Sequence, residues 1–305
     1  MNSKAYAIFW AFLAAVLYAV NIPASKLLLS YVSPVYMASL LYFGAGAGMF
    51  LFSLTPPGRE SKDPPLTRRE LPYTLGMIVL DIAAPIFLML GLNSAASANV
   101  SLLNNFEIVA TSLIALLIFR ENISRTLWIS LGFITAASVL LSFDGAESLQ
   151  FSGGSLFVLA AGLCWGLENN CTRALSSKSA VQIVVIKGIF SGLGALIVAM
   201  LSGGTLPGLP YFVPALLLGF VSYGLSIYFY VRAQKYIGAA STSAYYSVSP
   251  FIGALLSFLI FDEALSKTYP AALIVMLIGA AFAVMDTLQV RPLSIIKKIF
   301  GDKTV

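Results

Sequence analysis

Long apolar stretches alternate with short polar connections along almost the whole chain. Each stretch has about 20 mostly apolar residues, the length that an α-helix needs to cross the ~30 Å hydrocarbon core of a bilayer. Proline, glycine and polar residues separate the stretches, and the longest polar connection covers residues 55–70. The pattern predicts an all-α polytopic membrane protein with ten transmembrane helices. These lie at 5–29, 34–54, 71–91, 97–119, 124–143, 152–175, 179–201, 211–231, 239–260 and 268–287.

The composition excludes a water-soluble protein and several kinds of catalysis. Of the 305 residues, 59% are apolar and 10% are charged, whereas soluble domains carry about 25% charged residues. The chain has no histidine, which excludes Ser-His-Asp catalysis, HExxH zinc sites and imidazole proton relays. Cys164 and Cys171 are ~10 Å apart along a helix, too far for a disulfide. We therefore predict neither an enzyme nor a bound cofactor.

The basic residues are distributed unequally over the two sides that alternating spans create. The net charge is +5, and 15 of the 18 lysines and arginines fall on the side of the N-terminus. Lys26 and Lys267 fall on the other side, and Lys187 lies inside a span. Because positively charged loops stay in the cytoplasm, we predict a multi-pass protein of the cell (cytoplasmic) membrane with both termini cytoplasmic. The cations then face anionic membrane lipid, so no nucleic-acid partner is needed to explain them.

The two halves of the chain resemble each other. Residues 101–124 align with 243–266 without a gap, and residues 14–28 align with 161–175. Each half holds five spans, and because five is odd the second half enters the membrane from the opposite side. The pattern predicts a 5+5 inverted repeat, an arrangement that gives transporters two related conformations around a midplane site. The aligned pairs include Phe119 with Phe261, Glu121 with Glu263, Ser124 with Ser266, Tyr18 with Trp165, and Asn21 with Glu168.

A short motif closes one apolar helix in each half. The motif reads FRENIS at 119–124 and FDEALS at 261–266. With the ten spans and the duplication, it resembles the drug/metabolite transporter superfamily, and within it the EamA-type exporters. The resemblance covers about residues 5–288. It implies an exporter of small metabolites, with amino acids the best-supported substrates, and a central cavity lined by the first, third, fourth and corresponding second-half helices.

The same resemblance divides the chain into three regions. We expect a first EamA-type repeat at 1–146, an inverted second repeat at 147–290, and a basic tail at 291–305. The tail alternates lysines with apolar residues, which fits either a short interfacial helix or a disordered segment. The chain lacks the tryptophan-rich fourth span of the family's aromatic amino acid exporters, having Asn104 and Asn105 there. This argues against an aromatic substrate.

Two carboxylates are predicted near the middle of the membrane. Asp81 lies at the centre of the third span and Glu107 at the centre of the fourth, at the same expected depth. An intramembrane charge costs ~2.5–3.5 kcal/mol on insertion scales, so each needs a reason. Burial favours the protonated form of a carboxyl, so either residue is a candidate for proton coupling or for binding a substrate's ammonium. The structural alternative is a protonated carboxyl hydrogen-bonded to a neighbouring helix.

A second pair of ionisable residues is expected nearer the cytoplasm. Glu168 in the sixth span and Lys187 in the seventh lie at similar depth. An ion pair is the simplest account, because a lone buried charge is costly. The pair either holds the helices together or forms an inner gate.

Polar and aromatic side chains form stripes on several spans. Ser101 and Asn104 share a face of the fourth span, and Thr242, Tyr246 and Ser249 follow helical spacing on the ninth. Such stripes either pack helices together or line a wet cavity, and we favour the cavity because Asn, Glu and Tyr are bulky and polar. The predicted substrate contacts are Trp10, Asn21, Asp81, Ser101, Asn104, Glu107, Trp165, Tyr223, Thr242, Tyr246 and Ser249, with Tyr230 as a further aromatic candidate.

These observations favour a secondary transporter that exports a small polar or zwitterionic metabolite by alternating access. The sequence leaves other readings open: a multidrug or nucleotide-sugar carrier, or a passive channel or scramblase. No Walker motif is present, so ATP drive is not expected. The partners predicted are a small-molecule substrate and membrane lipid. The sequence does not set the oligomeric state, and a monomer is compatible with it.

Overall fold

The computed structural model describes residues 3–55, 63–94, 100, 103–104, 106–142, 153–203, 206–261 and 268–289. The regular elements in these residues are all helical, and no strand occurs among them. A π-helical segment, Phe220–Leu225, joins the helices Leu209–Gly219 and Ser226–Tyr246. The α-helices are α1 (Ser3–Ala19), α2 (Asn21–Leu28), α3 (Pro34–Ser53), α4 (Leu71–Ser94), α5 (Phe106–Leu117), α6 (Arg125–Ser142), α7 (Gly153–Leu175), α8 (Ala180–Leu201), α9 (Leu209–Gly219), α10 (Ser226–Tyr246), α11 (Ser249–Phe261) and α12 (Tyr269–Leu288).

Six helical stretches in this part of the chain are long and apolar enough to cross a membrane. They are Ser3–Leu28, Pro34–Ser53, Arg68–Ser94, Ala180–Leu201, Leu209–Ile260 and Tyr269–Leu288. The shorter α5 is also apolar, whereas α6 and α7 carry more polar residues. The expected all-helical, polytopic membrane architecture is therefore confirmed. Ten crossings in two inverted repeats remain a prediction.

Several helices are interrupted close to polar residues. Val20 separates α1 from α2, and Pro23 lies in the first turn of α2. Gly238 has φ +78° and ψ 174°, so the helical run of α10 breaks there. Pro85 lies inside α4 and has no N–H to offer the carbonyl of Asp81 four residues earlier. At each of these breaks the helix axis can change direction, although the apolar pattern continues across it.

The helices pack most extensively in four pairs: α4 with α7, α3 with α8, α1 with α10, and α6 with α12. In the α3–α8 pair the backbones touch. A Cβ on Gly46 would lie 2.6 Å from the backbone nitrogen of Ile189, and one on Gly188 would lie 2.7 Å from the carbonyl oxygen of Tyr42. Small residues allow such close approach in membranes. Because Lys187 precedes Gly188, this crossing sets where the lysine enters the protein interior.

Large apolar side chains cover the outer surface of the bundle. Leu117, Leu201 and Leu209 are 73%, 83% and 77% exposed. A water-soluble protein rarely presents so much contiguous apolar surface, but lipid accommodates it. Polar residues such as Asn21, Asp81, Lys187 and Gln234 are instead fully or almost fully buried. The polar chemistry therefore lies inside the helix bundle.

Candidate functional site

A buried network of three charged residues joins α4, α7 and α8. Lys187 Nζ lies 3.0 Å from Asp81 Oδ2 and 2.8 Å from Glu168 Oε1. The Tyr42 hydroxyl donates to Asp81 Oδ1 at 2.6 Å, and Thr172 donates to Glu168 Oε1. We call Asp81, Glu168 and Lys187 the charge triad. It contains two carboxyl groups for one ammonium, and all three residues are at most 3% exposed.

A second polar cluster surrounds Glu107 on α5. The Asn169 side-chain amide donates to Glu107 Oε1 at 2.7 Å and to Thr111 Oγ1 at 3.2 Å. The neighbouring Asn170 donates to the Thr111 carbonyl at 3.0 Å, and Gln234 donates to the Asn169 carbonyl. Within the described part of the chain Glu107 forms no ion pair. Its carboxyl is held by the Asn169 amide instead of by a cation.

Five tyrosines form a continuous chain of ring contacts. The ring centroids are 5.1 Å apart for Tyr230 and Tyr246, 5.3 Å for Tyr246 and Tyr18, 5.8 Å for Tyr18 and Tyr223, and 5.1 Å for Tyr223 and Tyr42. These separations are typical of favourable aromatic pairs. At its Tyr42 end, the chain reaches the charge triad through the hydroxyl bond to Asp81. We call these residues the tyrosine wall.

The charge triad, Glu107 and the tyrosine wall meet at a central cavity. Its empty volume, which includes space open to the outside, is about 460 Å³. Half of the lining residues are aromatic, and ionisable and amide groups occupy a few of the other positions. The lining consists of Tyr18, Tyr42, Glu107, Trp165, Glu168, Asn169, Thr172, Lys187, Tyr223, Ile227, Tyr230 and Tyr246.

Seven of the fourteen residues predicted from the sequence line this cavity, and two more contact its lining. Asp81 does not line the cavity but forms an ion pair with Lys187, which does. Asn21 donates to the hydroxyl of the lining residue Tyr223 at 3.4 Å. The ion pair predicted between Glu168 and Lys187 is present. Predicted residues that line the cavity directly are Glu107, Trp165, Glu168, Lys187, Tyr223, Tyr230 and Tyr246.

Other predicted residues do not line the cavity. Trp10 packs against Arg232, whose guanidinium carbon lies 4.2 Å from the ring centroid. Thr242 donates to the Gly238 carbonyl within its own helix. Ser249 is buried at the start of α11, and Asn104 is buried as well. Helical spacing predicts a shared face but not which neighbour that face meets. Ser101 and the tail at 291–305 lie outside the described residues.

The sequence paired Lys187 with Glu168 alone. The structure adds Asp81, which was predicted at the depth of Glu107 and lies within ion-pair distance of Lys187. Depth counted from span ends shifts by ~1.5 Å per residue, and those ends are uncertain by a few residues. A lysine side chain is also long enough to bridge helices. Asp81 therefore belongs to the charge triad.

Sequence reasoning missed several lining residues, namely Tyr18, Tyr42, Asn169, Thr172 and Ile227. A signal existed for Tyr18, because it aligns with Trp165 in the repeat. Asn169 directly follows Glu168 in an otherwise apolar span, which was also a usable signal. Tyr42, Thr172 and Ile227 are ordinary residues of apolar helices, and no local pattern marks them.

A second, wider crevice opens at the end of the bundle that carries the N-terminus. Its empty volume is about 1,260 Å³, and its lining includes Lys4, Glu121, Arg173 and Asp286. Glu121 lies in the connection between α5 and α6. Burial raises the pKa of its carboxyl above the ordinary 4.5, although Arg173 and a backbone N–H act in the opposite direction. Ions of both signs therefore border this crevice.

Apolar helices long enough to cross a bilayer, packed around a buried polar cavity, define a multi-pass membrane protein with an internal site. The EamA-like transporter family model matches residues 5–143 and again 152–285. The chain belongs to the EamA-like transporter family, within the drug/metabolite transporter superfamily. It is therefore a transporter and not an enzyme.

Two relatives agree with this assignment, and a solved structure shares the fold. An uncharacterized transporter of Methanothermobacter thermautotrophicus is 28% identical over 287 residues, covering 87% of this chain and 82% of the relative. The uncharacterized transporter YyaM of Bacillus subtilis is 23% identical over 244 residues, covering 77% of this chain and 79% of the relative. A solved crystal structure matches 93% of this chain and 98% of its own, with a TM-score of 0.75 at 17% identity. At that identity the similarity concerns the fold alone.

Proposed function

We propose that the protein is a secondary active transporter that exports small metabolites, with amino acids as the favoured class, by alternating access. The observation that carries this proposal is the buried cavity, which joins charged groups from α4, α5, α7 and α8 inside an apolar bundle. Intramembrane ionisable residues are expensive and mark substrate or ion pathways. A cell-membrane location with both termini cytoplasmic completes the proposal.

The helix pairs support an inverted repeat. A two-fold exchange of the halves would swap α1 with α7 and α4 with the run from α9 into α10. It would also swap α3 with α8 and α6 with α12. Under this exchange the α4–α7 pair becomes the α1–α10 pair, while α3–α8 and α6–α12 map onto themselves. These are the four most extensive pairs. The two family matches also fall one in each proposed half, 1–146 and 147–290.

The length of the Leu209–Ile260 run supports ten crossings. As one straight helix its 52 residues would extend ~78 Å, more than twice the ~30 Å hydrocarbon core. The break at Gly238 divides it into two stretches of suitable length, which fits the eighth and ninth predicted spans. The chain then crosses the membrane once more at α12.

The polar residues suggest how the transport cycle proceeds. Glu107 and Asp81 are the proposed sites of proton coupling, and the Glu168–Lys187 pair is the proposed inner gate. Opening the gate requires separating Lys187 from Glu168, which leaves buried charge uncompensated unless substrate or protons replace the contact. Binding at the cavity is thereby coupled to the movement of α7 relative to α8.

Counterflow in proteoliposomes tests the proposal. Purified protein is reconstituted, the vesicles are preloaded with unlabelled amino acids, and uptake of labelled substrate is followed at several pH values. Saturable flux stimulated by substrate on the far side is expected. Flux without saturation or counter-transport would instead indicate a channel or scramblase.

Two carboxyl variants separate coupling from general damage. Glu107→Gln is expected to abolish flux or its dependence on a pH gradient. Glu70→Gln, which removes a carboxylate outside the cavity, should transport like the wild type. Wild-type rates with unchanged pH dependence in Glu107→Gln would show that Glu107 does not couple protons.

A further inference from the structure

The cavity carries more negative than positive groups. Asp81, Glu107 and Glu168 contribute three carboxyls, and Lys187 is the one basic residue among the described residues that line the cavity or pair with its lining. With all four ionised, the site has a net charge of −2. Buried charge of one sign is unfavourable, so the site needs positive charge from protons or from a ligand.

Lys187 is poorly placed to receive an anionic substrate group. Its ammonium already contacts Asp81 at 3.0 Å and Glu168 at 2.8 Å. A substrate carboxylate would have to displace one of these partners, and the displaced carboxylate would remain buried. The charge triad therefore disfavours a carboxylate on the substrate.

Glu107 has the opposite property, because it is a buried acceptor with spare capacity. The residue is 8% exposed, and its described hydrogen bond uses Oε1, which accepts from Asn169. In the described part of the structure no cation pairs with it and Oε2 has no hydrogen-bond partner. Since Glu107 lines the cavity, a ligand ammonium there would meet an unsatisfied carboxylate.

The tyrosine wall adds a second attraction of the same sign. Tyr18, Tyr230 and Tyr246 line the cavity together with Trp165 and Glu107. The face of an aromatic ring attracts ammonium groups, and clusters of such rings recognise organic cations. The tyrosine hydroxyls are largely engaged elsewhere, with Tyr230 bonded to Ser243 and Tyr246 to Ser226. The rings can therefore serve as apolar, electron-rich walls.

We propose that the cavity selects small organic cations, with the ammonium seated between Glu107 and the tyrosine wall. This rests on the transport function above and, among small metabolites, favours amines over amino acids. Amines fit the site, whereas an amino acid, neutral or cationic, brings a carboxylate that the charge triad opposes. Glu107 is the counter-ion, and the rings enclose the cation.

Matched ligands test the charge preference directly. Leucine is compared with 3-methylbutylamine, which lacks its carboxylate, and with 4-methylpentanoate, which lacks its amine. The amino acid, the amine and the acid with the alanine skeleton and with the phenylalanine skeleton are compared in the same way. These sets cover smaller and larger ligands. Binding is measured by calorimetry on the full-length protein in detergent, and flux by counterflow. In at least one set the amine is expected to bind tenfold or more tightly than the amino acid, and the acid not at all. If no amine binds more tightly than its amino acid, the proposal is overturned.

Variants assign the preference to the named residues. Glu107→Gln should weaken amine binding at least tenfold, and Glu70→Gln should leave it within twofold. Tyr246→Leu, which removes the ring, should weaken amine binding more than Tyr246→Phe, which keeps it, so the proposal stays testable even if Glu107→Gln does not fold. Unchanged amine affinity in both Glu107→Gln and Tyr246→Leu would contradict the proposed cation site between Glu107 and the tyrosine wall.

The two proposals fail in different ways. Amine binding without flux would contradict the transport function but support the cation site. Saturable flux of zwitterions with no binding of amines would support transport and overturn the cation site.

Discussion

Glu121 Oε2 accepts a hydrogen bond from the backbone N–H of Ala239 at 3.3 Å, although the two residues are 118 positions apart. Gly238, just before Ala239, has φ +78° and interrupts the helical run. The carboxylate thus lies at the start of a new helical segment, where a negative group satisfies a free N–H and favours the helix dipole. A residue of the motif in the first half therefore caps a helix in the second half.

Gly238→Ala should destabilise the protein by ~1–3 kcal/mol. The backbone angles at this position are essentially restricted to glycine, and an added Cβ would lie 3.0 Å from Glu121 Cδ. Thermal unfolding in detergent measures the loss. Gly132→Ala is the matched control, since no atom lies within 4 Å of its added Cβ and alanine favours a helix. Equal unfolding temperatures for the two variants would contradict the prediction.

Glu121→Gln should change how stability depends on pH. Because burial raises the pKa of Glu121, the folded protein holds this proton more tightly than the unfolded chain. That contribution is complete below the ordinary pKa of about 4.5 and is lost as the pH rises through the raised value. Unfolding temperatures of wild type and variant are measured from pH 4 upward. The unfolding temperature of the wild type should fall relative to that of the variant as the pH rises. A wild type that gains stability relative to the variant with rising pH would refute this.

Lys187→Met should cost ~3–5 kcal/mol of unfolding free energy, because it leaves Asp81 and Glu168 buried without their cation. Lys178→Met is the control. It removes an ion pair with Glu70 at 3.2 Å between partly exposed side chains, which solvent screens, so it should cost much less stability than Lys187→Met. Denaturation in detergent measures the loss of unfolding free energy for each of the two variants.

A companion variant tests the reason for that loss. Combining Lys187→Met with Asp81→Asn and Glu168→Gln removes the charges together and should recover much of the stability. If the triple variant is no more stable than Lys187→Met alone, uncompensated charge is not the cause.

Cysteine labelling should place residues 31 and 55 on opposite sides of the membrane. Tyr31 and Thr55 are exposed and follow the first and second predicted spans. In a background without Cys164 and Cys171, Tyr31→Cys should react with an impermeant maleimide on intact cells. Thr55→Cys should react only after permeabilisation. The reverse pattern would put both termini outside.

The apolar pattern alone was sufficient to predict an all-helical membrane protein. Whether a segment can cross a bilayer depends on its own residues. About 20 consecutive apolar residues are sufficient, wherever the rest of the chain lies. The Glu168–Lys187 pair was also predictable, because two lone charges in adjacent spans at similar depth have few other partners. The motif that contains Glu121 was also recognised as closing an apolar helix.

Tertiary structure decided which side chains share the cavity. Asp81 joins Lys187 because α4, α7 and α8 converge, and the close crossing at Gly46 and Gly188 sets that geometry. Tyr223 lies in the π-helical segment, which turns its side chain differently from a regular helix. Trp10 was predicted to line the cavity together with Asn21, yet it packs against Arg232. The sequence determines what each helix can bury, whereas rotation, tilt and local breaks determine which neighbour it meets.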